Sequence, residues 1–190
     1  MEPKTLLITG FMPFGGEARN PSWEAVNALP DQIGAWKLIK LLLPVEFGNA
    51  ARLAIETAEA CHADAVLSVG LAAGRSAVTP ELVGVNVRDA SIADNAGQKF
   101  NGEPIRPDGP AAYFSTLPVR DMTKAILGAG IPAMLSYTAG AYVCNDLLYS
   151  LLRRYADTSV RVAFVHIPLE RDLPLSSSIL ALTKAIEALE

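Results

Sequence analysis

Cysteine and histidine are scarce in this chain of 190 residues, which contains only Cys61, Cys144, His62 and His166. Two cysteines so far apart in the sequence do not form a disulfide framework, and we therefore expect free thiols in a cytoplasmic protein. Neither a CxxC nor an HExxH pattern occurs, so a zinc site built by this chain is not expected.

Long apolar runs and clusters of basic residues are absent as well. No run reaches the roughly 18–20 residues of a membrane-spanning helix. Residues 1–4 lead directly into an apolar segment, without the apolar core and cleavage site of a signal peptide. The net charge is −4, and no group of lysines and arginines suggests a surface for nucleic acid or anionic lipid. We therefore expect neither nucleic acid nor a membrane as a partner.

The chain does contain a regular alternation of short apolar runs and amphipathic helical patterns. This alternation predicts an α/β fold, with a mostly parallel twisted sheet and helices on both faces, as a single three-layer α/β/α domain over residues 1–190. The predicted strands are 5–9, 37–43, 65–69, 82–87, 111–116, 131–135 and 160–165, and the predicted helices are 22–29, 47–61, 118–127, 144–155 and 176–189.

Cys144 stands where a glycine-containing loop changes into a helical pattern. A thiol at a helix N-terminus is close to free N–H groups and to the positive end of the helix dipole, which favour the reactive thiolate. The alternative is that Cys144 is a small buried apolar residue, as many cysteines are. Cys61 falls on the apolar stripe of its helix, so we interpret it as a core thiol.

His166 ends a buried strand, and sites in α/β sheets gather at the carboxyl ends of strands. It is therefore a candidate general base for Cys144, although a purely structural histidine fits the pattern equally well. A Cys–His pair needs a third group to orient the imidazole. The residues alone do not choose among the candidates for that group: Glu81, Asp89, Asp94, Asn145 and Asp146.

The first glycine loop, residues 10–16, carries Phe11 and Phe14 and lacks every phosphate-binding motif. Two aromatic rings suit a flat and weakly polar ligand better than a phosphate group.

Several stretches, in order and spread over almost the whole chain, resemble the type I pyroglutamyl peptidases, which are also called pyrrolidone-carboxylate peptidases and form a family of cysteine peptidases. Each match is weak alone, but together they are highly specific. The matching stretches are Thr9–Gly16 with Asn20–Ser22, Pro80–Glu81 with Asn86 and Asp89–Ala90, Asp94–Asn95, Asp108–Pro118, Ala139–Asn145 and Phe164–Pro168.

The resemblance implies removal of an N-terminal pyroglutamyl (5-oxoprolyl) residue from peptides, through a thioester and without a cofactor or metal. It implies Cys144 as the nucleophile, His166 as the base and Glu81 as the carboxylate that orients the base. It also implies assembly as a homotetramer. The substrate-binding positions that it implies are Phe11, Phe14, Leu71, Ile92, Tyr142 and Val143.

Three positions depart from the family pattern. Leu71 stands where glutamine is common, Ser91 where arginine is common, and Tyr142 where phenylalanine is usual. Two other functions therefore remain open at this point. One is a thiol hydrolase of the same fold that cuts another small acyl-amide or ester, and the other is a catalytically silent homologue that serves as a binding or assembly module.

Overall fold

The computed structural model describes residues 3–189, and these residues form five α-helices around a six-stranded sheet with the strand order β2-β3-β1-β4-β10-β5. Four further short strands pair in two separate ribbons, β6 with β9 and β7 with β8. The strands are β1 Lys4–Phe11, β2 Gln32–Ile33, β3 Trp36–Leu43, β4 Ala65–Leu71, β5 Thr79–Glu81, β6 Val83–Val85, β7 Arg88–Asp89, β8 Asn101–Glu103, β9 Ala112–Phe114 and β10 Arg161–Ile167; the helices are α1 Pro21–Ala28, α2 Asn49–Ala60, α3 Val119–Gly128, α4 Val143–Arg154 and α5 Leu175–Glu187.

The four central strands β3, β1, β4 and β10 run parallel, and the strands at both edges, β2 and β5, run antiparallel to their neighbours. Successive side chains of a strand point to opposite faces. Leu6 and Ile8 accordingly pack into one apolar core, whereas Leu7 between them packs into the other. All three side chains are fully buried, as expected for a sheet that is covered on both faces.

Helices α1, α3 and α5 pack together on one face of the sheet, and α2 and α4 pack on the other. The predicted α/β/α arrangement with a mostly parallel sheet is thus confirmed. The start of α1 follows directly from its sequence. Asn20 accepts a hydrogen bond from the backbone N–H of Ser22 at 3.1 Å, and Pro21 occupies the first helical position, where no N–H is needed. Within residues 3–189 no helix has both the length and the apolarity that crossing a bilayer demands.

The structure corrects two of the predicted strands. Residues 131–135 form no strand and make only an isolated bridge between Val78 and Ala133. The run lies beside β5, and Met134 and Ser136 donate to the carbonyls of Val78 and Pro80, but Pro132 has no N–H to donate and the pairing stays limited to isolated bridges. The predicted strand 82–87 is present as the shorter β6, but it pairs with β9 outside the main sheet.

Candidate active site

The carboxyl ends of β4 and β10 and the N-terminus of α4 meet at the carboxyl end of the parallel strands. Gly70 in β4 lies opposite His166 in β10 in the parallel register. A Cβ atom on Gly70 would stand only 3.0 Å from the sulfur of Cys144 and 2.7 Å from the ring of Phe164. Because Gly70 has no side chain, Cys144, the second residue of α4, can lie against the carboxyl end of β4, close to His166.

The antiparallel pairing of β5 with β10 brings Glu81 to the same place. Glu81 lies opposite Phe164, which precedes His166 by two residues, so the carboxylate and the imidazole are diagonal neighbours on one face. Glu81 Oε1 lies 2.7 Å from His166 Nδ1, and both side chains are almost fully buried. This contact orients the imidazole, whose other nitrogen remains for chemistry in the cavity.

The guanidinium group of Arg75 completes this cluster. Its Nη1 donates to the same Oε1 atom of Glu81 at 2.7 Å and to the Thr79 hydroxyl at 2.5 Å, and its Nη2 donates to the Thr138 carbonyl at 3.0 Å. A buried carboxylate without a nearby positive charge is costly, so Arg75 compensates the charge of Glu81. It also fixes the rotamer of the carboxylate that orients His166.

Cys144 and His166 open into a cavity of about 270 Å³ that combines aromatic and small apolar walls. This volume is near the lower limit of about 300 Å³ that is common for small-molecule pockets. The rings of Phe14 and Tyr142 lie 6.3 Å apart at their centroids, and Phe11 packs against Phe164. The other lining residues are Asn20, Val45, Leu71, Ala72, Ala73, Arg75, Ala139 and Gly140.

Burial shifts the pKa values of both Cys144 and His166. It raises the pKa of the Cys144 thiol to about 12; the negative charge of Glu81 acts in the same direction, and Arg75 opposes both. Burial also lowers the pKa of His166 below its ordinary value, although the hydrogen bond and charge of Glu81 pull it back upwards. Burial at the start of α4 therefore acts against the thiolate that a helix N-terminus was expected to favour.

The structure also shows where the other candidates for the third group lie. Asp94 accepts hydrogen bonds from the backbone N–H groups of Phe47 and Gln98. Asn145 anchors β6 through the backbone of Val85, and Asp146 pairs with Arg88. Each of these side chains is buried but serves the structure of a loop or strand. Asp89 is exposed in β7. Of the five candidates, Glu81 is the one that contacts His166.

Two of the six predicted substrate-binding residues lie outside the cavity. Val143 is fully buried in the core between α4 and the sheet, because the first turn of α4 points it inwards. Ile92 is 48% exposed, beside Ser91, in a surface loop. Phe11, Phe14, Leu71 and Tyr142 do line the cavity.

The hydroxyl group of Tyr142, which a phenylalanine would lack, has a partner. It donates to the carbonyl of Ala93 at 3.1 Å, and Asn95 in the same loop donates to the carbonyl of Pro13 at 3.0 Å. These bonds tie the loop that follows β7 to the rim of the cavity on two sides. A part of the irregular segment 89–109 thus supports Tyr142, which lines the cavity, and the loop that carries Phe14.

Sequence reasoning missed two polar residues of the cavity. Asn20, which enters the sequence argument only within a stretch that matches the family, also lines the cavity, and its amide donates to the carbonyl of Met12 at 2.9 Å. Arg75 belongs to none of the motifs that the sequence offers. The signal that points to Arg75 is the buried carboxylate itself, because a buried Glu81 requires a cation within reach. No group of three or more His, Cys, Asp and Glu side chains in residues 3–189 is placed to hold a metal ion.

Comparison with known proteins identifies relatives that match most of the chain. The chain is 44% identical to the pyrrolidone-carboxylate peptidase of Levilactobacillus brevis over 97% of this chain and 96% of the relative. It is 49% identical to the corresponding protein of Staphylococcus saprophyticus over 86% of this chain and 78% of the relative.

Solved structures agree with the sequence relatives. Pyroglutamyl peptidase I from Bacillus amyloliquefaciens superposes with a TM-score of 0.93 at 38% identity, covering 98% of this chain and 96% of the other. The pyrrolidone carboxyl peptidase of Thermococcus litoralis superposes with a TM-score of 0.94 at 33% identity, covering 98% and 93%. The family model described as pyroglutamyl peptidase matches residues 4–188. The chain therefore belongs to the pyroglutamyl peptidase family.

Proposed function

We propose that this peptidase removes the N-terminal pyroglutamyl residue from peptides through an acyl-enzyme on Cys144. The observation that carries the proposal is the 2.7 Å contact between Glu81 and His166 beside a small cavity that also contains Cys144. Nucleophile, base and orienting carboxylate are the three parts that thiol-dependent acyl transfer requires.

The protonation states define the first step. Both Cys144 and His166 begin neutral, so the thiol proton passes to His166 as the sulfur attacks the pyroglutamyl carbonyl. The carbonyl oxygen becomes an oxyanion at the N-terminus of α4, where the first-turn N–H groups lack intrahelical partners and can stabilise it. The imidazolium that forms is stabilised by Glu81.

The tetrahedral adduct then collapses. The C–N bond breaks, His166 returns its proton to the departing amine, and the peptide leaves with a new N-terminus. His166 next takes a proton from water, whose oxygen attacks the thioester carbonyl. The C–S bond breaks, the proton returns to the sulfur, and free pyroglutamate is released.

The cavity accounts for the choice of a lactam. Phe11, Phe14, Leu71 and Tyr142 offer apolar and aromatic walls to a flat, uncharged ring. An ordinary N-terminus carries an ammonium group, and burying that charge without a partner costs several kcal/mol. Leu71 makes this wall more apolar than a glutamine would, which strengthens discrimination against charge but removes an amide as a hydrogen-bond partner.

Turnover of three fluorogenic amides tests the proposed function. We expect hydrolysis of the pyroglutamyl amide and no hydrolysis of the alanyl or prolyl amides. Hydrolysis only of the latter two would instead indicate a thiol hydrolase with another acyl specificity. Absence of turnover by folded protein with a reduced thiol would indicate a binding or assembly role.

Three broader features remain proposals. A cytoplasmic location is supported by the two free thiols, which are typical of a reducing compartment. Treatment of residues 1–190 as one domain is supported by the shared central sheet, on which both apolar cores rest. Assembly as a homotetramer is supported by the family resemblance, and size-exclusion chromatography with light scattering measures it directly.

A further inference from the structure

A tight turn outside the active-site cavity, residues 93–98, is organised by one buried carboxylate. Asp94 Oδ1 accepts hydrogen bonds from the backbone N–H groups of Ala96 and Gln98 at 3.0 and 2.7 Å, and the backbone N–H of Asp94 donates to the carbonyl of Gln98 at 2.9 Å. Hydrogen bonds to an ionised carboxylate are roughly twice as strong as those between neutral groups. This segment, which we call the Asp94 turn, is therefore a well-fixed unit.

The Asp94 turn holds Tyr142 by two routes. The hydroxyl group of Tyr142 donates to the carbonyl of Ala93 at 3.1 Å. The ring of Tyr142 packs edge-on against the ring of Phe47, with centroids 5.3 Å apart, and the backbone N–H of Phe47 donates to Asp94 Oδ2 at 2.8 Å. Tyr142 lines the cavity, so one of its aromatic walls is held from outside by the turn.

The same turn supports the wall that carries Phe14. Asn95 donates its backbone N–H to the carbonyl of Val45 at 2.9 Å and its side-chain amide to the carbonyl of Pro13 at 3.0 Å. Phe14 follows Pro13 directly. A Cβ atom on either residue of the pair 15–16 would meet nothing within 4 Å, so nothing packs closely against the chain just beyond Phe14. The bond at Pro13 is therefore the support next to Phe14.

One rigid unit thus fixes both aromatic rings on this side of the cavity. The centroids of the Phe14 and Tyr142 rings lie 6.3 Å apart, and each ring is tied to the Asp94 turn through its own hydrogen bond. The reactive groups are held separately, since Glu81 orients His166 and Cys144 belongs to α4. A displacement of the turn would therefore change the room for the acyl ring before it changed the reactive groups.

We propose that the Asp94 turn sets the size of the acyl ring that the cavity accepts, with Asn95 and the Tyr142 hydroxyl as its positioning contacts. This inference rests on the proposed function. It extends that function by assigning the choice between five- and six-membered lactams to a segment that lines no part of the cavity. A phenylalanine at position 142, which is usual in the family, would lack one of the two contacts.

The physical basis is that a pocket rejects an extra methylene group only when its walls cannot retreat. Overpacking is costly in a rigid apolar site, and one methylene changes kcat/KM by about 10- to 200-fold. Both contacts lie near solvent, where water competes for the donors and acceptors. We therefore expect the loss of either one to weaken the discrimination by about threefold, in the lower part of the range for a single hydrogen bond.

The test compares two fluorogenic amides with the same leaving group, one of pyroglutamate and one of its homologue with a six-membered lactam. We expect the wild-type protein to prefer the pyroglutamyl amide by at least about tenfold in kcat/KM. Asn95→Ala and Tyr142→Phe should each lower this preference by about threefold, and the double variant should lower it further. The KM for the pyroglutamyl amide should rise while kcat stays nearly unchanged, because the walls bind the ring alike in the ground state and the transition state.

Asn101→Ala is the matched control, since Asn101 is an exposed asparagine in β8 of the same segment 89–109. It should leave the preference unchanged. Equal losses of kcat for both amides in Asn95→Ala, with the wild-type preference retained, would show a merely structural role and overturn the inference. If Asn95→Ala does not fold, Tyr142→Phe, which removes a single hydroxyl, decides alone.

Equal use of both amides by the wild-type protein would also overturn the inference while leaving the proposed function intact. Failure of the wild-type protein to cleave the pyroglutamyl amide would refute the proposed function itself.

Discussion

Replacing Arg75 with methionine is expected to move the acid limb of the pH–activity profile to higher pH. Arg75 Nη1 and His166 Nδ1 each lie 2.7 Å from the same oxygen of Glu81, so the two nitrogens are separated by at most twice that distance. The positive charge of Arg75 disfavours a second positive charge on His166. Together with burial, which is the larger cause, it lowers the pKa of His166.

The size of this effect follows from the geometry. Two unit charges about 5 Å apart interact by ~3 kcal/mol at an effective dielectric constant of about 20, which corresponds to about two pKa units. The Arg75 side chain is 31% exposed, and solvent screens part of the interaction. We therefore expect the pKa of His166 to rise by about one unit in Arg75→Met.

The proposed mechanism determines the direction in which the acid limb of the pH–activity profile moves. Neutral His166 accepts the thiol proton, and its protonated form is inactive. Because Arg75→Met makes protonation easier, activity is lost at a higher pH than in the wild-type protein. The assay is kcat/KM for a pyroglutamyl fluorogenic amide, measured between about pH 5 and 8, the range in which histidine titrates.

Arg75→Lys is the matched control because it retains the positive charge but loses the planar fork that contacts Glu81, Thr79 and Thr138. We expect its acid limb to lie close to that of the wild-type protein, with a reduced kcat. Equal losses of kcat in both variants, with the wild-type acid limb in each, would show that Arg75 acts only as a structural tie. That result would refute the electrostatic reasoning.

Three further changes test the site and its supports. Cys144→Ser should lower kcat by at least about a thousandfold while Cys61→Ser leaves it unchanged, and equal losses in two folded variants would contradict the assignment of the nucleophile. Gly70→Ala should lower the free energy of unfolding, measured with urea, by about 1–3 kcal/mol, because its Cβ would lie 2.7 Å from the ring of Phe164. The same Cβ should displace the sulfur of Cys144 and lower kcat. Unchanged stability and an unchanged kcat would show that the structure places these atoms too close together. Asp146→Ala should lower the free energy of unfolding by about 3–5 kcal/mol, because it leaves the partly buried Arg88 without its partner. A loss below about 1 kcal/mol would show that water replaces the carboxylate.

Local chemistry accounts for the elements that could be predicted from the sequence. The start of α1 at Pro21, the strand that ends near His166 and the helix that begins beside Cys144 all follow from short-range patterns of caps and apolar spacing. The one predicted strand without a counterpart, 131–135, has the composition of a strand. It lies beside the three-residue strand β5 and makes only isolated bridges with it, and a local pattern does not contain the length of the strand that a segment will meet.

The sequence by itself determined the α/β class, the carboxyl ends of the parallel strands as the place of the site, and Cys144 and His166 as its candidate reactive groups. It did not select Glu81 from five candidates without the family resemblance. Only the tertiary structure decided that Glu81 meets His166, because β5 pairs antiparallel with β10 across 85 residues of sequence. It also decided that Arg75 belongs to the same cluster, and that burial raises the pKa of the Cys144 thiol. Charge compensation and desolvation depend on which groups surround an atom in space, and the order of residues along the chain specifies this only after the chain has folded.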